Sequence, residues 1–157
     1  MHPQVLLERI QVQFPPIARP AGDGVLLHGV GECAQCASLR DSLRDADEPV
    51  LPLAVLRGIY DQVEHLSPAG WRWVLPSYLT HCLLLANSQT LLDTEFLTFD
   101  LGASMHGLAE SVQRLGAFTE EQKACLVLFL EWCGQHEDWA DLCGEDIDSA
   151  LAALQTS

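Results

Sequence analysis

Apolar residues at helical spacing are the feature that most constrains the fold of this chain. From residue 32 onward they recur three and four positions apart, and no series of alternating strand-like segments competes with them. The segment 119–134 is the clearest example, because Thr119 and Gln122 match a capping box and Gly134 suits a C-terminal turn. The pattern predicts an all-α fold, a single irregular bundle of about six helices.

The segment LSPAGWRWVLPSYLTHCLLLA predicts the central helix. Ser67 and Pro68 mark its start, since serine caps helices and proline is favoured at the first helical position. Pro76 is expected to kink or restart the helix, because proline lacks a backbone N–H and clashes with the preceding turn. Apolar spacing predicts further helices near 32–44, 56–63, 105–115 and 146–154. We expect the core to contain Trp71 or Trp73 together with Leu75, Leu79, Leu83, Leu108, Val112, Leu128 and Phe129.

The first thirty-one residues show little periodicity. Three prolines and two glycines follow one another at Pro15, Pro16, Pro20, Gly22 and Gly24. This composition predicts a proline-rich irregular arm over 1–31, with a short extended segment near 25–28, packed on a helical core at 32–157. A chain of 157 residues suits one hydrophobic core, so we expect a single domain.

The charge of the chain is strongly negative and unevenly distributed. The chain contains 22 acidic and 8 basic residues, which gives a net charge of −14. Residues 79–157 carry 13 of the acidic residues and 2 of the basic ones. Such a surface repels phosphate backbones, so direct nucleic-acid binding is not expected. It attracts basic proteins and speeds their encounter, which predicts a basic protein partner.

The sequence indicates no secretion signal and no membrane segment. The N-terminal apolar run is short and is broken by Glu8 and Arg9, and no window reaches the roughly 18 apolar residues of a membrane span. We therefore expect a cytoplasmic protein without membrane association. In that compartment the 6 cysteines are expected to be reduced thiols.

The stretch GECAQCASL contains Cys33 and Cys36 at the spacing of a zinc knuckle or a redox pair. His28 offers a third zinc ligand, but a fourth is missing nearby, and a thioredoxin-like pair would need a βαβ setting. Both cysteines share a helix face with Ala37 and Leu43, where free cysteine packs as a small hydrophobe. Packing is the favoured interpretation, with no metal bound; zinc binding and redox chemistry are the alternatives.

No motif in the chain predicts a reaction. Cys133, His136 and Cys143 are irregularly spaced for zinc, and the remaining histidines are scattered. There is no nucleophile elbow and no glycine-rich phosphate loop in a strand-to-helix setting. The sequence therefore predicts a protein that is not an enzyme, with no catalytic residues and no cofactor.

The segment 131–148 combines acidic residues with two tryptophans and contains no lysine or arginine. An acidic rim that steers a basic partner, with an aromatic anchor, is typical of a protein interface. The alternative is a solvated acidic face with both tryptophans in the core. The interface hypothesis names as partner-binding residues Glu131, Trp132, Glu137, Asp138, Trp139, Asp141, Glu145, Asp146 and Asp148.

Three segments together resemble a known family. ECAQCASLRDSL, LSPAGWRWVLPSYL and FTEEQKACLVLFL occur in an order similar to that of an uncharacterised bacterial family of small helical proteins, domain of unknown function 6714. The resemblance spans about 14–132, and its second segment is the most specific. It implies an α-helical bacterial domain and supplies no catalytic residues.

Small acidic bacterial proteins of this kind resemble immunity proteins, which neutralise toxins delivered between competing cells. The sequence, together with this resemblance, favours an acidic interaction module, most concretely an immunity protein that binds a cognate antibacterial toxin such as a basic nuclease. The alternative is a small metal-binding or enzymatic helical protein that uses His28, Cys33 and Cys36. The oligomeric state is not predicted.

Overall fold

The computed structural model describes residues 2–85, 116 and 118–156. Strand pairing within these residues is limited to one isolated antiparallel bridge between Leu26 and Leu66, which confirms the all-α prediction. Two short 3-10 turns, Gly22–Val25 and Tyr60–His65, connect helices. The described helices are α1 (Pro3–Gln13), α2 (Ala34–Ser42), α3 (Leu53–Ile59), α4 (Pro68–Leu85), α5 (Glu120–Gly134) and α6 (Glu137–Thr156).

The N-terminal helix α1 was not predicted from the sequence. The prediction of an irregular arm over 1–31 is wrong for Pro3–Gln13, where the His2 ring accepts a hydrogen bond from the Gln4 amide at 3.3 Å and caps the helix. The prolines that follow end this helix instead of preventing it. Helix α1 packs on α4 and α5, and its buried residues are Leu6, Leu7 and Ile10.

Helix α4 is the most deeply buried helix of the described fold. Its start is the predicted one, since the Ser67 hydroxyl accepts a hydrogen bond from the Gly70 amide at 2.9 Å. The helix continues through Pro76, so the expected restart does not occur there. The predicted core residues on α4 are all buried: Trp71, Trp73, Leu75, Leu79 and Leu83.

Polar contacts from α4 hold the segment between α2 and α3. The buried Ser77 hydroxyl accepts a hydrogen bond from the Leu51 amide at 2.9 Å, and the Trp73 indole donates to the Glu48 carbonyl at 3.3 Å. Burial of a backbone N–H without an acceptor is costly, so Ser77 gives this loop a defined position against the core.

Helices α5 and α6 pack against each other. The capping box of α5 is present as predicted, with the Gln122 amide donating to Thr119 Oγ1 at 3.2 Å and the Thr119 amide donating to Gln122 Oε1 at 3.1 Å. The Gln122 side-chain amide also donates to the Gln13 carbonyl at 2.8 Å, which fastens α5 to the end of α1. On α5, Phe129 is buried as predicted, whereas Leu128 is only half-buried.

Helix α6 is longer than the segment 146–154 that apolar spacing predicted. It begins at Glu137 and departs from helical geometry at Cys143, where φ is −138° and ψ is 26°. The predicted helix at 105–115, with the expected core residues Leu108 and Val112, lies outside the described residues. No helix in the described part of the chain has the length and apolarity needed to cross a bilayer.

The start of α4 packs closely against the 3-10 turn Gly22–Val25. A Cβ atom at Gly70 would lie 2.1 Å from the carbonyl oxygen of Val25, so only glycine fits there. The same carbonyl accepts a hydrogen bond from the Ser67 amide at 2.9 Å. The Leu27 amide donates to the His65 carbonyl at 3.0 Å, so the chain up to Leu27 is held against α4 and the turn before it.

We expect Gly70→Ala to destabilise the protein by about 3 kcal/mol, because the added methyl meets a backbone oxygen that cannot move independently of the core. Gly58→Ala is the matched control. That position is exposed in α3 and has open space around it, so alanine should stabilise the helix by about 0.5–1 kcal/mol. Urea unfolding followed by circular dichroism measures both, and equal effects at the two positions would contradict the packing described.

Candidate functional site

The acidic residues that the interface hypothesis named for partner binding lie on two helices at the surface. All seven lie on α5 and α6. Within the part of the chain that the structure describes, six of them form no ion pair, whereas Asp146 makes an interaction of its own. By contrast, Glu120 on α5 pairs with Lys123 at 3.0 Å. No lysine or arginine occurs after Lys123. Asp146 is half-buried and the other six are exposed: Glu131, Glu137, Asp138, Asp141, Glu145 and Asp148.

The two tryptophans of the hypothesis are not on the surface. Trp132 and Trp139 are 4% and 3% exposed, and their rings meet edge to face at 5.1 Å where α5 packs on α6. Both tryptophans therefore belong to the core, which is the alternative that the sequence analysis left open, and neither ring offers an exposed anchor to a partner. The His136 ring lies edge-on to that of Trp132, with their centroids 4.5 Å apart.

An exposed leucine that sequence reasoning missed lies among the acids. Leu142 on α6 is 62% exposed, while the neighbouring Cys143 is buried. Asp138 lies one helical turn before Leu142, and Glu145 follows after the irregular backbone at Cys143. We call Asp138, Asp141, Leu142 and Glu145 the α6 patch. Helical spacing gave no signal for this exposure, because Leu142 lies three residues after the buried Trp139 and therefore on the same side of a regular helix.

A second cluster brings together the three candidate metal ligands of the sequence. The imidazole of His28 and the sulfurs of Cys33 and Cys36 all lie within 4.8 Å of one another. His28 Nδ1 is 3.4 Å from Cys36 Sγ. His28 is exposed, Cys33 is half-buried and Cys36 is fully buried, so packing accounts for Cys36 much better than for Cys33.

Backbone geometry places this cluster at the start of α2. Gly31 has φ +84°, a conformation that glycine adopts without strain, and it turns the chain into the helix. Cys33 is the N-cap of α2, with its sulfur accepting a hydrogen bond from the Cys36 amide at 3.4 Å. The cap position thus directs the Cys33 sulfur back over the first turn, toward Cys36.

The six thiols have different environments. The hydrogen bond from the Cys36 amide is the main factor that lowers the pKa of Cys33, whereas burial raises the pKa of Cys36. Burial also raises the pKa of Cys125 to about 11. The pKa of Cys133 is raised well above its usual value by burial and then by the neighbouring thiols Cys82 and Cys143. Cys125 and Cys133 therefore remain protonated at neutral pH and pack as apolar side chains.

Two other features offer less chemistry. Cys133, His136 and Cys143 do not form a three-ligand cluster of the kind that His28, Cys33 and Cys36 form in the described chain.

An open groove of about 260 Å³ lies between the segment that follows α1, helix α4 and the start of α5. Its described lining contains no carboxylate, thiol, hydroxyl or imidazole that could act as a nucleophile or general base. That lining consists of Phe14, Pro15, Ile17, Pro20, Ala69, Arg72, Leu75, Pro76, Phe118 and Gln122.

We expect Cys33 to be the fastest thiol to react with iodoacetamide in metal-free protein, by at least about tenfold, because the other five are buried and reaction there requires local opening. Timed quenching followed by peptide mass spectrometry measures the order of modification. Cys33→Ser retains a capping side chain and should remove the fast reaction alone. Fast modification of Cys125 or Cys133 would contradict the burial described.

Comparison with known proteins identifies a family. Residues 30–152 match the family described as "Family of unknown function (DUF6714)", a span that includes Cys33, Cys36 and the seven acidic residues on α5 and α6. Searches of curated proteins and of solved structures gave no match. Because the match covers most of the chain, this protein belongs to the DUF6714 family, as the three segments in its sequence indicated.

Proposed function

We propose that this protein is an interaction module that binds a basic protein through the α6 patch. The observation that carries the proposal is an exposed leucine, Leu142, with exposed carboxylates at Asp138, Asp141 and Glu145 around it. Protein interfaces commonly combine a central apolar contact, which loses water on binding, with a polar rim that selects the partner.

The charge around the patch supports a basic partner. The chain after Lys123 contains seven acidic residues and no lysine or arginine, so no cation from this part of the sequence balances the patch. Like charges held on one surface repel each other and reduce the stability of the fold. A partner with a positive surface relieves that repulsion on binding and is drawn to the patch from a distance.

The specific form of the proposal is an immunity protein, which binds and neutralises an antibacterial toxin. A nuclease toxin needs a positive surface to hold its substrate, because each nucleotide carries a negative phosphate. An acidic protein that occupies this surface blocks access of the nucleic acid. Charge complementarity supports this form, in which the exposed carboxylates take the place of phosphates.

The test begins with capture of the partner by the tagged chain, followed by association kinetics at low and high salt. Asp138→Lys, Asp141→Lys and Glu145→Lys are combined in one variant. We expect association at low salt to slow by at least about tenfold, because electrostatic steering contributes factors of about 10–10³ to association rates. The effect should shrink at high salt, where exposed charges are screened.

The matched control reverses three acids on another part of the surface. Asp45, Asp47 and Glu48 are exposed in the segment between α2 and α3, and their combined change to lysine alters the net charge by the same amount. If both triple variants slow association equally, binding depends on total charge and the α6 patch is not the interface. Unchanged association in the α6 variant has the same consequence.

Leu142→Ser tests the apolar contact separately from the charge. We expect the complex to dissociate about tenfold faster with little change in association, since buried apolar anchors chiefly determine the lifetime of a complex. Because the Leu142 side chain is exposed, the substitution should not unfold the protein, and thermal unfolding checks this. A partner whose nuclease activity persists in the saturated complex would contradict the toxin-neutralising form, while the kinetics still test the interface.

A further inference from the structure

The cluster of His28, Cys33 and Cys36 is a separate feature from the α6 patch. We propose that it binds a thiophilic divalent cation of the Zn²⁺ type, with the imidazole nitrogen and the two sulfurs as ligands. The proposal does not depend on the proposed interaction with a basic protein, because the ligands belong to α2 and the loop before it.

The separations of the ligand atoms fit a zinc site. With Zn–S of about 2.3 Å and Zn–N of about 2.0–2.1 Å, tetrahedral geometry places sulfur and nitrogen about 3.5 Å apart and two sulfurs about 3.8 Å apart. His28 Nδ1 and Cys36 Sγ are already 3.4 Å apart, and all three ligand atoms lie within 4.8 Å. The Cys33 sulfur would need to approach the other two ligand atoms by at most roughly 1.3 Å to complete the geometry.

The fold holds the ligands in place before any cation arrives. His28 follows the loop that packs against Gly70, and its carbonyl accepts a hydrogen bond from Arg40 Nη2 at 3.4 Å. Arg40 also pairs with Asp23 at 3.1 Å, so this one side chain of α2 joins the helix to the loop at two points. A ligand set positioned by the surrounding structure loses less conformational entropy on binding than a flexible one.

The donor atoms determine which cation fits. Thiolate and imidazole ligands suit Zn²⁺ and related soft metals, whereas Mg²⁺ and Ca²⁺ prefer oxygen. Three protein ligands leave one tetrahedral position for water or another donor, as in zinc sites that take three ligands from the protein. The sequence favours packing because a fourth protein ligand is missing nearby. A zinc site does not require that fourth ligand to come from the protein.

A dithiol redox pair is the competing interpretation of Cys33 and Cys36. It explains the two sulfurs at the start of a helix but assigns no role to the imidazole beside Cys36. Zinc binding accounts for all three side chains with one interaction. It also explains why a half-buried cysteine, instead of the usual serine or aspartate, caps α2.

The experiment titrates the metal-free, reduced full-length chain with Zn²⁺ against a chromogenic chelator, and with Co²⁺ followed by absorbance. We expect one ion per chain and a thiolate-to-cobalt charge-transfer band. Cys33→Ser and His28→Gln should each weaken Zn²⁺ binding by more than about 100-fold, since loss of an outer-shell partner alone costs about 10–100-fold. His2→Gln is the control, because this exposed histidine caps α1 and should leave binding unchanged.

Zn²⁺ should also raise the melting temperature of the wild-type chain and of His2→Gln, and should not raise that of the two ligand variants. His28 is exposed and Cys33 is half-buried, so both variants should fold, and circular dichroism checks this. Absence of Zn²⁺ binding would overturn the proposal, as would equal binding by all variants or a Co²⁺ complex without the charge-transfer band. Formation of a Cys33–Cys36 disulfide in a chain that binds no Zn²⁺ would assign the pair to redox chemistry instead.

Discussion

The contact between Gly70 and the carbonyl of Val25 determines much of how this fold is assembled. It allows the loop before α2 to lie directly on the first turn of α4, at a distance that no side chain would permit. Ser67 reinforces the contact by accepting from the Gly70 amide through its hydroxyl while its own amide donates to Val25. The position of His28 beside Cys36 follows from this packing, since the loop that carries His28 is held between α2 and α4.

The two candidate sites use different physical effects. The α6 patch depends on long-range electrostatics and one exposed apolar side chain, both of which act on the surface. The cluster at α2 depends on short-range geometry, because its three possible ligand atoms lie within 4.8 Å of one another. Neither site requires the other, and the DUF6714 match covers the α6 patch and both cysteines, while His28 lies just before the matched span.

The sequence predicted the helices whose ends carry specific capping chemistry. Thr119 with Gln122, and Ser67 before Pro68, are local signals, and both caps form as expected. Helix α1 was missed because the prolines after it suggested an irregular segment, although they only end the helix. The restart expected at Pro76 does not occur, since α4 is supported on several sides by tertiary packing that outweighs the local preference of proline.

The all-α class, the caps of α4 and α5 and the excess of negative charge were determined by the sequence alone, because each depends on neighbouring residues or on simple composition. The tertiary structure decided which side chains face solvent. It buried Trp132 and Trp139 between α5 and α6 and left Leu142 exposed, a choice that helical spacing by itself does not make. It also brought His28 to Cys33 and Cys36, because the distance between a loop and a helix depends on the packing of both against α4, which no local pattern encodes.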